Sequence, residues 1–131
     1  MKDLLESRDS EELRHIINHL GIAAFVIDVE GDDVFRVAAI NERDEQFSGM
    51  QHARDAGKLI EDILSPKMAE RVIARYRECV QQRKAMDYQE VLDMPIGTTY
   101  WRTSLVPYIN ASGRVFRILG TAIEISSTVH L

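Results

Sequence analysis

Tyr100-Trp-Arg-Thr-Ser-Leu-Val-Pro-Tyr108, then Asn110-Ala-Ser-Gly113, then Arg114-Val-Phe-Arg-Ile-Leu-Gly-Thr-Ala-Ile-Glu-Ile125, reads as two long strands joined by a tight polar turn. Both arms are rich in β-branched and aromatic residues, and Asn and Gly between them supply turn chemistry. Alternation along the arms separates Trp101, Thr103 and Leu105 from Arg102, Ser104 and Val106, and Ile118, Gly120 and Ala122 from Leu119, Thr121 and Ile123. A hairpin with one face mixing bulk with gaps and the other nearly as apolar must sit in a sheet covered on both sides.

Upstream, Met86, Tyr88 and Leu92 alternate with Asp87, Gln89 and Asp93 as a half-buried strand, turned at Pro95-Ile-Gly97. Before it, Ser65 caps and Pro66 opens a helix with Ala69, Val72, Ile73, Tyr76 and Val80 on one face and Arg83 and Lys84 near its negative end. Asn41 to Gly49 and Leu59 to Leu64 read as short helical turns joined by a polar loop. Ile22-Ala-Ala-Phe-Val-Ile-Asp-Val29 and Val34-Phe-Arg-Val-Ala-Ala-Ile40 form a second hairpin through Glu30-Gly-Asp-Asp33. Asp9 or Ser10 caps a first helix whose Leu13, Ile16, Ile17 and Leu20 share a face, with Gly21 ending it. The order of one helix, two strands, several helices and three strands defines an α+β fold around an antiparallel sheet.

The chain has 131 residues, enough for one core, and a formal net charge of −5. Its Lys and Arg residues form no stripe, which argues against nucleic acid as a partner. A single cysteine, Cys79, excludes an intrachain disulfide and suits a reducing, cytoplasmic setting. The longest strongly apolar run, at positions 22–27, is far short of the roughly 20 residues of a membrane helix, so no direct membrane contact is expected.

Four features together resemble the PAS domain, a sensory module with a five-stranded antiparallel sheet and a helical flank around a small cavity. They are Asp28 before a turn at Gly31; Asn41 closing the second strand with Gly49 eight residues on; Gly57-Lys-Leu-Ile-Glu-Asp-Ile-Leu64 before the long helix; and the closing hairpin with Gly120 and Glu124-Ile-Ser126. The resemblance implies a PAS domain over residues 21–127, a capping or dimerisation helix in 1–20 and a tail in 128–131. One departure stands out: Asp44 lies where the family often carries an aromatic residue.

The resemblance also implies a site. Phe25, Ile27, Asn41, Phe47, Ile63, Val72, Tyr76, Tyr88, Trp101, Thr103, Leu105, Ile118 and Ala122 are its expected cavity residues, with the Trp101 indole and the Tyr hydroxyls as polar handles. Filling of a plain core is the competing reading of these side chains. The helix residues Leu13, Ile16, Ile17 and Leu20, with Leu119 and Ile123 of the outer sheet face, are assigned to packing on that sheet or on a second chain, giving a homodimer. Glu124, Ile125 and Ser126 are the expected signal exit to a covalently linked output domain.

No cofactor signature is identifiable. Positions 65–84 contain no histidine, so haem is disfavoured, and Cys79 lies late in the helix, away from the position of a flavin-reactive cysteine, so a cysteinyl-flavin type is disfavoured as well. An unidentified small organic ligand is the remaining expectation. Cys79 reads as a small buried hydrophobe, His15 and His19 as a solvated helix face, His52 as a loop residue without a carboxylate partner, and Glu61 and Asp62 as solvated. Arg102 and Glu90 are expected to pair across strands. Neither a phosphate loop nor a nucleophile elbow is present. The leading reading is an intracellular sensory module driving an output such as a diguanylate cyclase or histidine kinase. A ligand-free homodimerisation module and a small α+β enzyme are the alternatives.

Overall fold

The structure, a computed structural model, describes residues 4–31, 33–94 and 97–125. A single turn of 3-10 helix at Leu4–Glu6 precedes α1 (Ser10–Asn18), β1 (Ala23–Glu30), β2 (Val34–Ile40), α2 (Glu42–Ser48) and α3 (His52–Asp55). A 3-10 turn at Ile60–Asp62, α4 (Pro66–Gln82), β3 (Met86–Met94), β4 (Gly97–Ile109) and β5 (Val115–Ile125) follow. Residues 95, 96, 126 and 128–131, on which the expected Pro95 turn, the Ser126 exit and the tail fall, lie outside the described residues.

All strand pairs are antiparallel, in the order β2-β1-β5-β4-β3. The fold is the α+β, five-stranded architecture expected from the sequence. The closing hairpin lies between its partners: β5 pairs with β1 on one side and with β4 on the other. Its turn is held by Asn110, whose Oδ1 accepts from the N–H groups of Ser112 and Arg114 at 3.1 and 3.0 Å, while Gly113 supplies a φ of 86°.

The sheet separates two cores. Its inner face packs Ile27, Phe35, Val37, Ile40, Leu105 and Ile118 against Ala69, Tyr76 and Cys79 of α4. Its outer face packs Val26, Ala24, Ala38 and Ala39 under Leu13 and Ile17 of α1. A bulge in β2 makes this division work. Ile27 pairs with Val37 but Val26 with Ala39, so Ala38 is an extra residue. The bulge shifts the alternation by one, which lets Phe35, Val37 and Ile40 all face inward while Ala38 and Ala39 both face α1.

The helix ends explain themselves locally. Asp9 caps α1 by accepting from Glu11 and Glu12 N–H at 2.9 and 3.3 Å, and Ser65 caps α4 with Pro66 behind it. The helix α1 stops sooner than expected. His19 and Leu20 bond back to Ile16 and Ile17 in tightened turns, and Gly21 takes its φ of 75° beyond them. The α3 turn falls within the expected polar loop, since its four residues carry no apolar period.

Leu13 and Ile17 are each 1% exposed, so the helix spends its apolar face on its own sheet. Leu20 does not join them and stays exposed, as do Ile123 and Val106. Helix α1 therefore covers the β1–β2 half of the outer face and leaves the β4–β5 half open. Two polar side chains lock this layer. Arg117, 4% exposed, lies on β5 opposite Asp28. It donates to Asp28 Oδ1 at 2.7 Å and to the carbonyls of Leu5 and Ser7. His52 is buried, contrary to the loop reading. Its Nδ1 accepts from Ile40 N–H at 3.1 Å, and its Nε2 lies 3.1 Å from both Glu11 Oε1 and Ser10 Oγ. An acceptor role for Nδ1 places the proton on Nε2, facing that carboxylate.

Candidate functional site

Between the inner face of the sheet, α2 and α4 lies a half-open cavity of about 170 Å³. Its position follows from side-chain size along the strands. Across the sheet, Ala23, Ala122, Thr103 and Tyr88 stand side by side in register. The first three are small, so the sheet floor is hollow there. The neighbouring row runs through Phe25, Gly120 and Leu105, and a Cβ on Gly120 would overlap the Phe25 ring. The gap at Gly120 thus lets Phe25 lie down across the strand.

Of the expected cavity residues, Phe25, Phe47, Val72, Tyr76, Tyr88, Trp101, Thr103 and Ala122 line the void. Ile27, Leu105 and Ile118 lie deeper, fully within the inner core, because the hollow lies at the Ala23–Ala122–Thr103 row and these residues stand one and two rows further along the strands. Ile63 packs against that core from the helical side without lining the void. Asn41 is buried for a structural reason. Its Oδ1 accepts from the N–H groups of Asp44 and Ala24 at 2.9 and 3.0 Å, and its amide donates to the carbonyls of Ile17 and Ile22 at 2.9 and 2.8 Å. It caps α2 and ties that helix to the entrance of β1.

The sequence reading did not place Ala23, Asp44, Ser48, Met50, Ile60, Leu64, Met68 and Glu90 in the wall. Glu90 was legible: it stands two residues after Tyr88, on the same face of β3. It therefore does not pair with Arg102, which faces outward and meets Asp87 at 3.3 Å. Glu90 Oε1 instead accepts from the Thr103 hydroxyl at 2.7 Å. The Trp101 indole is not a free handle either, since its N–H donates to Thr99 Oγ1 at 3.0 Å. Its ring meets Phe47 edge-on, with centroids 5.1 Å apart.

Asp44 is the chemical centre of this wall. Only 6% of it is exposed, and its Oδ2 has no hydrogen-bond partner among the described residues. Burial pushes its carboxyl up to about 6, with the Ser48 hydroxyl opposing and the Glu45 charge adding. An acid three residues after an N-cap often folds back to the cap's own N–H. Here the Asn41 N–H is taken by the Ala24 carbonyl at 3.0 Å, so the Asp44 carboxylate does not fold back to its own cap. Burial also raises the Tyr76 and Tyr88 hydroxyls well above their ordinary range, leaving both as neutral donors.

The remaining polar candidates do not join the site. Cys79 is fully buried in the inner core, its thiol pushed up to about 11 by burial, and it does not line the cavity. The His19 ring Nδ1 lies 2.8 Å from the His15 carbonyl on the exposed end of α1. Glu61 and Asp62 are exposed. Among the described residues no cluster of His, Cys, Asp and Glu could hold a metal ion, and no helix is long and apolar enough to cross a membrane.

A sheet of this order with a cavity under its helical flank is the architecture of a sensory fold, and comparison with known families agrees. The profile of a family described as PAS fold matches residues 17–130. The chain belongs to the PAS family. Among solved structures, the PAS domain of Bordetella pertussis BvgS superposes with a TM-score of 0.73 at 20% identity, covering 92% of this chain and 88% of that one. A sensory box sensor histidine kinase from Vibrio cholerae gives 0.64 at 14% identity, covering 87% and 90%. A Rhodobacter sphaeroides light-oxygen-voltage protein gives 0.67 at 13% identity, covering 92% and 68%. The curated proteins contain no match. The protein is thus a PAS module structurally similar to those of bacterial sensors, a class of regulatory and typically non-catalytic domains.

Proposed function

We propose that this chain is the sensory input of a signalling protein: a small organic molecule occupies the cavity, and the sheet relays its presence to a linked output domain such as a histidine kinase or diguanylate cyclase. The observation that carries this reading is the cavity of about 170 Å³ with the unpartnered Asp44 Oδ2 in its wall. A merely filled core gives no reason to bury a carboxylate oxygen without a partner on a residue that lines a void. Strand β5 is the relay, since Ala122 lines the cavity and residues 123–125 lead toward the exit.

Native mass spectrometry of freshly purified protein, combined with emission from Trp101, the single tryptophan, tests this. A retained small molecule whose removal shifts the emission is expected. A clean protein mass, with no emission change across a panel of single-ring metabolites, would favour the ligand-free dimerisation module instead.

The homodimer belongs to the same reading. Val106 on β4, Ile123 on β5 and Val91 on β3 are exposed on the outer sheet face, and Leu20 is exposed after α1, apolar side chains suited to a second copy of the chain. Sedimentation at tens of micromolar should show a dimer that Ile123→Glu dissociates; a strict monomer would remove this element.

A further inference from the structure

The charge of the cavity wall is one-sided. Asp44 on α2 and Glu90 on β3 both line it, and among the described residues no Lys, Arg or His does. Arg43 and Arg75 lie 5.9 and 4.2 Å from the ring centroids of Phe47 and Tyr88, but neither reaches the void. The acids also differ in how they are held. The Thr103 hydroxyl engages Glu90 Oε1, whereas Asp44 Oδ2 is without a partner.

A buried carboxylate without a partner is costly, and a positive donor offsets that cost better than a neutral one. An anion would meet two acids and no compensating cation. The faces of Phe47, Tyr76, Tyr88 and Trp101 add the negative side of their quadrupoles, which attracts cations. Size narrows the class further, because an apolar cavity of about 150 Å³ accepts benzene, and this one is about 170 Å³. A tricyclic flavin ring exceeds that volume.

We propose that the ligand is a small organic cation, a protonated amine on a single ring or short apolar skeleton, with its ammonium donating to the Asp44 carboxylate and lying in the field of Glu90. The proposal rests on the sensory reading and adds the ligand's chemistry to it. Because burial lifts the Asp44 carboxyl to about 6, recognition weakens in acid. The other titratable groups in the wall are Tyr76 from α4 and Tyr88 and Glu90 from β3, with Glu45 next to Asp44 on α2.

Three probes of similar size test the charge: benzylamine, benzyl alcohol and benzoate, titrated into the full chain by calorimetry and Trp101 emission. At about pH 7.5, benzylamine should bind at least about tenfold more tightly than benzyl alcohol, the scale of a charge-assisted hydrogen bond, with benzoate weakest. Asp44→Asn should remove most of that advantage, lowering benzylamine affinity far more than that of benzyl alcohol. Should Asp44→Asn not fold, wild type decides: the advantage must shrink at about pH 5, where benzylamine keeps its proton and Asp44 gains one. Equal or tighter binding of the alcohol or benzoate, or an amine advantage independent of pH, overturns the cationic assignment and leaves the sensory cavity standing. Binding of none of the three at millimolar concentration overturns both.

Discussion

The ring of Phe25 lies across Gly120, its register partner on β5, in space that any side chain at Gly120 would occupy. This contact couples the sheet to the cavity, because Phe25 also lines the void and lies 6.3 Å, centroid to centroid, from Tyr76 of α4. Gly120→Ala should destabilise the fold by about 1–3 kcal/mol through overpacking. Shortening the ring in Phe25→Leu/Gly120→Ala should recover part of the loss. Urea unfolding of both single variants and the double variant measures this, and strict additivity would argue against the contact.

Asp44 should make stability depend on pH in a defined direction. Its carboxyl titrates near 3.8 without burial and near 6 in the fold, so the folded state holds the proton more tightly. Its favourable share is full below about pH 4 and is lost as pH rises through 6, on the order of 2–3 kcal/mol. Paired carboxylates whose titration the fold lowers, such as Asp55 beside Arg54 and Glu30 beside Arg36, act in the opposite sense. The informative quantity is therefore the difference from Asp44→Asn. In ligand-free protein that variant should gain on wild type between about pH 4 and 7; a constant difference would mean that Asp44 does not ionise there.

Asn41 separates capping from tethering. Asp is as good an N-cap as Asn, yet Asn41→Asp would turn a carboxylate oxygen toward the Ile17 and Ile22 carbonyls that the amide now serves. We expect Asn41→Asp and Asn41→Ala each to cost about 2–4 kcal/mol, the loss of one cap or of two buried bonds with repulsion added. Denaturant midpoints that place Asn41→Asp near wild type would reduce the residue to a helix cap.

Arg117→Gln should release the segment before α1. Arg117 ties the Leu5 and Ser7 carbonyls to β5, and removing the guanidinium leaves Asp28 without its 2.7 Å partner. Hydrogen exchange should speed up at residues 5–9 and at β1, with global stability falling by about 3 kcal/mol or more, as for a broken buried pair. Unchanged exchange in that segment would show that Leu5 packing alone holds it.

The strands, the long helix and their order were legible because each carries a period, a cap or turn chemistry that acts within a few residues. The cavity was legible where alternation decided it, as for Trp101, Thr103 and Tyr88, and Glu90 follows from the same parity. Leu105 and Ile118 obey that parity too, but depth within a core depends on which row of the sheet is hollow, and that is set by Ala23, Ala122 and Thr103 meeting from three strands. Asp44 stood out as a departure from the family, though its freedom could not be read. It depends on the Ala24 carbonyl taking the Asn41 N–H, a contact across 17 residues. His52 and Arg117 were missed for the same reason, since their partners Glu11, Ser10, Leu5 and Asp28 lie far away in sequence.

The extra residue in β2 makes one position of that strand dispensable in length while every other position stays fixed in layer. Deleting Ala38 would restore regular pairing with β1 and keep Phe35, Val37 and Ile40 on the inner face, whereas deleting Arg36 would turn either Phe35 or Val37 to the outer layer. Single-residue deletions in β2 should therefore be tolerated among homologues at Ala38 or its neighbour Ala39, and an alignment gap placed at Arg36 would turn part of one core into the other on paper.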